Sequence, residues 1–453
     1  MEVTGEQRRS EQRRLDREIL RLAVPAFLAL VAEPLYLLAD SAIVGHLGTA
    51  PLAGLGIASA VLSTVISLCI FLAYGTTASV ARRIGAGDLR GALVQGVDGI
   101  WLAIVIGVVA TAAGIPLTRW LVGLFGPGSR VADQATAYLH LGFLGAVPLL
   151  VVLAATGVLR GLQDTRTPMV VAIAGNGANI VLNLLLVYGL AGLPALGIRG
   201  SALGTVIAQS GTAVALLVVV VRGARAHGVA LLPDPTGIRA AGGAGVPLLL
   251  RTLTLRASLL VMTYGATTLG ERPLAAMQVA MTIWSFLAFT LDAIAIAAQA
   301  ITGRYLGAGD TIGTRAVTRR MLTWGTWSGV VTGAGLALLS PLLGNLFTGD
   351  HRVQSLLLPV LLVAAAFQPV AGVVFVLDGV LIGAGDGRCL AWAGLWVLLV
   401  FAPAAWAAVV ATGSVTVLWV AFGVAFMGGR MVVLLLRERS DGWLRVGASA
   451  ARS

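Results

Sequence analysis

Two carboxylates interrupt an otherwise apolar stretch near the start of the chain, Glu33 and Asp40 in VPAFLALVAEPLYLLADSAIVGHLG. Seven residues is two helical turns, so a helix puts both acids on one face, with Tyr36 between them. A carboxylate surrounded by hydrocarbon takes up a proton readily. The pair is therefore a candidate proton-coupling site with Asp40 as its main member; the alternative is a carboxylate hydrogen-bonded only for helix packing. Asn176, Asn179 and Asn183 recur at spacings of three and four and line one face of another helix. They serve either as polar lining of a substrate cavity or as glue between apolar helices. Arg251, Arg256, Asp292 and Asp378 interrupt apolar stretches further along. Two cations and two anions at similar depth read as an internally paired cluster, either a structural ion-pair network or a gate that an anion contacts. The four His residues are scattered, and neither a metal spacing, a nucleophile–base pair nor a phosphate loop is legible. The chain reads as no enzyme, with no metal and no cofactor.

The elements that must position these residues follow from composition. Hydrophobic residues make up 58% of the chain and charged residues 11%, with a mean hydropathy of +0.92. A soluble domain carries roughly 25% charge, so this chain is expected to be an all-α integral membrane protein. Twelve apolar stretches, from 22–44 to 415–436, reach the roughly 20 residues that span a bilayer as helix. Six fall in each half. In lipid the backbone must satisfy its own hydrogen bonds, which makes the spans helical.

The halves are copies. RRIGAGD at 82–88 and RYLGAGD at 304–310 stand 222 residues apart, and so do GVLRGLQDTR at Gly157 and GVLIGAGDGR at Gly379. Val24-Pro25 and Val246-Pro247 keep the same offset. A fixed offset marks a repeated structural unit. The expected architecture is two six-helix bundles related by a pseudo-two-fold axis along the membrane normal, an arrangement used for transport with the site between repeats. The boundaries read as a cytoplasmic interfacial segment at 1–21, bundles at 22–221 and 244–436, a Pro-broken cytoplasmic linker at 222–243 and a cytoplasmic tail at 437–453.

The net charge of +11 comes from 31 Arg and no Lys. All but seven are assigned to cytoplasmic segments; Arg119, Arg130, Arg199, Arg272 and Arg352 fall in outer loops, and Arg251 and Arg256 in spans. That asymmetry puts both termini in the cytoplasm of a cell-membrane protein and argues against nucleic acid as a partner. Asp40 then lies roughly 27 Å from the cytoplasmic end of its span, in the outer half of the membrane. Its repeat equivalent is Met262, and that of Glu33 is Leu255, so the scaffold needs no acid at either place. Pro25 and Pro34 in the same span each remove a backbone bond and can bend it. Cys69 and Cys389 are not repeat equivalents and imply no disulfide.

Pro25 to Asp40 in span 1, the Gly-Ala-Gly-Asp turn and its copy, and the six-plus-six layout together resemble the multidrug and toxic compound extrusion (MATE) transporters. LDAIAIAAQA with Asp292 and FVLDGVLIGA with Asp378 look like the DinF-like branch of that family. The resemblance covers about 20–437. It implies export of small organic, often cationic, compounds in exchange for H⁺ or Na⁺. The family's Asn-x-x-x-Asp pattern in span 5 is met by Asn179 and Asn183, so the second acid is absent here. The acid that the sodium-coupled branch carries in span 7 is also absent, where Arg251 and Arg256 stand. The expected activity is a proton-coupled antiporter working as a monomer in lipid. The alternatives are a lipid-linked substrate flippase or an organic-anion exporter of the same superfamily.

Overall fold

The computed structural model describes residues 5–448. Among them, twelve helices are long and apolar enough to cross a membrane. They are α1 (Gly5–Gly45), α2 (Thr49–Gly85), α3 (Leu89–Gly123), α4 (Ser129–Gly161), α5 (Arg166–Tyr188) and α6 (Ile198–Ala226), followed by α7 (Pro235–Thr268), α8 (Glu271–Gly307), α9 (Thr311–Phe347), α10 (His351–Gly383), α11 (Gly387–Thr412) and α12 (Val415–Arg439). The protein is an all-helical, multi-pass membrane protein.

The repeated motif makes one turn twice. After α2, Gly87 takes φ 76° and Asp88 Oδ1 accepts from Gly91 N at 2.8 Å. After α8, Gly309 takes φ 76° and Asp310 Oδ1 accepts from Gly313 N at 2.7 Å. Only glycine reaches that left-handed conformation without strain, and the Asp caps a free amide of the next helix. The packing repeats as well. A Cβ on Gly157 would stand 2.6 Å from Ala73 O, and one on Gly379 would stand 2.3 Å from Ala295 O. Both residues of the second contact lie 222 positions after those of the first, so α4 meets α2 through the same glycine that brings α10 to α8.

The chain forms two compact units. One holds residues 28–245; the other holds the described residues up to Phe27 together with those from Val246 onward. The segment read as a separate interfacial stretch is instead the beginning of α1, which stays helical through Pro25 and Pro34. Leu15, Ile19, Leu22 and Ala26 are buried at three- and four-residue spacing, so this stretch has a core-facing stripe of its own. The stretch read as a linker is also mostly helix. α6 runs to Ala226 and α7 starts at Pro235, where the missing N–H costs nothing at the first helical position and Asp234 Oδ1 accepts from Thr236 N at 2.9 Å. In the expected tail, α12 continues to Arg439, Trp443 is buried and Gly447 N donates to Leu306 O at 3.0 Å. The rest of that tail lies outside the described residues.

Candidate functional site

In the unit of residues 28–245, α5 and α6 close on the C-terminal part of α1 through small residues. Gly200 and Gly204 lie one turn apart on α6. A Cβ on Gly200 would stand 2.5 Å from Leu186 O, and one on Gly204 would stand 2.2 Å from Asn183 Oδ1. This close approach aims the polar side chains beside those glycines, Ser201 and Thr205, at α1 and α5. Asp40 is 3% exposed. Its Oδ1 accepts from Asn183 Nδ2 and from Ser201 Oγ, each at 2.7 Å. Both donors are neutral and both bind the same oxygen. One turn away, Asn179 Nδ2 donates to Thr205 Oγ1 at 3.3 Å. Beyond Asp40, Tyr188 OH donates to Ile43 O at 2.7 Å and ties the end of α5 to α1.

The sequence-derived grouping is met in part. Asn179, Asn183 and Tyr36 are buried. Asn176 is half-buried, and Glu33 is exposed two turns before the Asp40 hydrogen bonds. The seven-residue spacing that suggested a shared face leaves open whether a neighbouring helix covers both turns, and here Asp40 is covered while Glu33 is not. Ser201 and Thr205 were missed, although the Gly-x-x-x-Gly spacing in RGSALGT marks a close helix approach.

The second unit holds charge differently. Arg251 Nη2 on α7 donates to Asp378 Oδ2 on α10 at 2.5 Å, and Arg430 Nη2 on α12 donates to the same oxygen. The side chains of Asp378 and Arg430 are each 9% exposed. A π-helical turn at Phe422–Gly428 precedes Arg430, whose guanidinium also lies 5.5 Å from the Phe426 ring centroid. Arg430 therefore belongs inside α12, where the sequence reading had assigned it to a cytoplasmic rim. Arg256 is exposed on α7 and Asp292 half-buried on α8. Asp98, also overlooked, is buried in α3 against Gly237 of α7, where a Cβ would meet its Oδ2 at 2.2 Å. Cys69 and Cys389 are free thiols.

One site can thus gain or lose a proton with its two donors still in place, because Asp40 Oδ2 takes no part in either bond. The other is a triad in which one carboxylate oxygen answers two guanidinium groups.

Comparison with known proteins agrees with the repeat. The MatE family model matches twice, over residues 25–185 and 247–407, and both matched boundaries are displaced by 222. The chain is 32% identical to Protein DETOXIFICATION 44, chloroplastic, of Arabidopsis thaliana, over 82% of this chain and 72% of that one. It is 29% identical to DNA damage-inducible protein F of Escherichia coli K12, over 82% and 81%. Among solved structures, a MOP superfamily transporter from Pyrococcus furiosus superposes with a TM-score of 0.85 at 23% identity, covering 94% of this chain and 96% of that one. A MATE structure in its bent conformation gives 0.86, covering 94% and 95%. With both halves matched by one model and the fold shared along nearly the whole length, the chain belongs to the MatE family of membrane transporters and is not an enzyme.

Proposed function

We propose that the protein is a proton-coupled antiporter that exports small organic, cationic or amphipathic compounds by alternating access. The observation that carries this reading is Asp40: a buried carboxylate held on one oxygen by Asn183 and Ser201, with neutral donors as its only hydrogen-bond partners among the described residues. Relatives named as multidrug resistance proteins, such as the probable NorM of Thermotoga maritima at 26% identity, support the efflux class. The Arg-rich segments between spans support cytoplasmic termini and a cell-membrane location.

The charge state of Asp40 works as a switch. Deprotonated, it favours the form that holds substrate; protonated from outside, it favours the form that releases it. Coupling requires the two ligands to bias different conformations, since a ligand bound equally by both shifts nothing. A proton suits the site better than Na⁺. Sodium needs several oxygen ligands converging on it, whereas Asn183 and Ser201 present hydrogens to Asp40. A proton on Oδ2 leaves both donor bonds to Oδ1 in place.

Ethidium efflux from energised inverted vesicles, with and without a protonophore, tests the reading. Asp40→Asn should fold and lose gradient-driven efflux by about tenfold or more, the size expected when a group that binds one state preferentially is fixed in the other. Asn176→Ala should leave efflux near wild type. Full protonophore-sensitive efflux by Asp40→Asn would place the coupling proton elsewhere, with Glu33 the next residue to test.

A further inference from the structure

The first helix of each repeat begins in the unit of the other repeat. α1 belongs up to Phe27 to the unit of residues 246 onward, while its outer part, with Asp40, belongs to the unit of residues 28–245. α7, its repeat equivalent, starts within the unit of residues 28–245 and continues into the other from Val246. The two beginnings are held differently. Asp16 on α1 accepts from Arg320 Nε at 2.6 Å, from Arg320 Nη2 at 2.7 Å and from Trp324 Nε1 at 2.7 Å. Two turns of α9 thus supply three donors to one carboxylate. Glu18 adds an ion pair with Arg304 and accepts from Tyr305 OH at 3.4 Å. Against the beginning of α7, the position on α3 equivalent to Arg320 is Asp98, 222 residues earlier, and it faces the backbone of Gly237 with no ion pair among the described residues. The charged clasp is therefore specific to α1, and the repeat does not require it.

Its exposure suits reversible use. The side chains of Arg320 and Asp16 are 28% and 23% exposed, against 9% for Asp378 and Arg430. A half-wet pair can trade its partner for water at modest cost, whereas a dry one cannot. The bidentate geometry nevertheless gives the closed state one defined register.

We propose that Asp16, Arg320 and Trp324 form a reversible latch on the cytoplasmic side, a set of positioning residues that holds the beginning of α1 on α9 and releases each time the transporter opens to the cytoplasm. The proposal rests on alternating access, not on Asp40 being the proton site. Because α1 also carries Asp40, the latch ties the position of that helix to its charge-bearing part.

The test needs no substrate and no proton gradient. Cys69 and Cys389 are replaced by Ala, and spin labels are attached at Arg13→Cys on α1 and Thr323→Cys on α9, both exposed positions. Distances are measured by pulsed electron–electron double resonance in phosphatidylethanolamine–phosphatidylglycerol vesicles. The latch predicts two populations in the otherwise unaltered protein, one short and one longer. Arg320→Gln should move the ratio toward the longer distance by about tenfold, as loss of a bidentate charged contact implies. Trp324→Phe, which removes the indole donor but leaves the Arg320 pair intact, should move it less. Asp16→Arg combined with Arg320→Asp should return weight to the short distance, which a general loss of folding would not do. A single narrow distance in the unaltered protein, or no shift in either single variant, overturns the latch. Failure of Asp40→Asn to uncouple transport would leave these distances untouched, so the two readings fail separately.

Discussion

Neutralising Asp378 should be far more damaging than removing either of its partners, and the difference can be worked from the triad. Arg251 and Arg430 donate to the same Oδ2, so their donor nitrogens lie no more than about 5 Å apart. At an effective dielectric constant near 20, two such cations repel by about 3 kcal/mol once the carboxylate is gone. That sits within the range of roughly 3–5 kcal/mol for breaking a buried pair. Arg251→Met is a different perturbation, because Asp378 keeps Arg430 and the remaining pair is neutral. Its cost should be about 1.5 kcal/mol, the low end for one hydrogen bond to a charged group. For a domain of this size each kcal/mol moves the melting midpoint by roughly 2–4 °C. Asp378→Asn should therefore lower the midpoint by about 10 °C and Arg251→Met by about 4 °C. Heating in detergent followed by fluorescence-detected size exclusion reads both. A triple replacement, Arg251→Met with Asp378→Leu and Arg430→Met, should recover most of the loss, since apolar residues can stand in for a buried charge group. Equal losses for the two single variants, or a harmless Asp378→Asn, would refute the argument and make the triad a wet site rather than a dry support.

The same assay tests the repeated helix contact: Gly157→Ala and Gly379→Ala should each cost about 1–3 kcal/mol, because the added methyl meets backbone oxygen that cannot move aside. Gly56→Ala, with nothing within 4 Å of its added methyl, should be neutral or stabilising by up to about 1 kcal/mol. At the first repeated turn, Gly91 N and Arg83 hold the Asp88 carboxyl below its ordinary value. A depressed folded value means that the cap is fully effective above the ordinary carboxylate range and is lost only as pH falls through the depressed one. Asp88→Ala should then cost about 1 kcal/mol at neutral pH, with the gap from wild type closing only in strong acid. Melting midpoints from pH 7 down to pH 3 check this, and a gap that closes near pH 6 would contradict it.

Much of the scaffold is legible in the sequence because it is written twice. Twelve apolar runs and one fixed offset are enough for the helix count, and the copied Gly-Asp turn carries its own mechanism. The repeat also exposes Asp40, an acid where the copy has Met262. What surrounds Asp40 is harder to read. Ser201 looks like any small residue in an apolar helix, and its role appears only when Gly200 and Gly204 let α6 approach α5. Arg430 is hidden for a different reason. A cation near the end of an apolar run reads as a headgroup anchor, but the π-helical turn and the aromatic residues before it carry Arg430 into the core beside Asp378. The charges of the first 21 residues likewise suggest a helix lying at a membrane surface. They are partly used up in specific pairs, with Asp16 on Arg320 and Glu18 on Arg304.

These pairings separate charges that can change from charges that cannot. Protonating a carboxylate answered by two arginines in a dry interior would leave both cations uncompensated. Asp378 is therefore a poor candidate for the proposed coupling proton, whatever its depth in the membrane. A carboxylate held by an amide and a hydroxyl loses no counter-ion when it is protonated, and Asp40 meets that condition. The latch pair is intermediate: its charges are permanent at neutral pH, but water can replace either partner. If the three sites divide in this way, charge-removing variants should separate by readout. Asp378→Asn should fail in stability before transport is measured, Asp40→Asn in coupling with stability kept, and Arg320→Gln in the balance between two conformations with both kept in part. A variant set in which all three lose stability in parallel would show that the charges act together as scaffold, and that the division drawn from their partners and exposure is wrong.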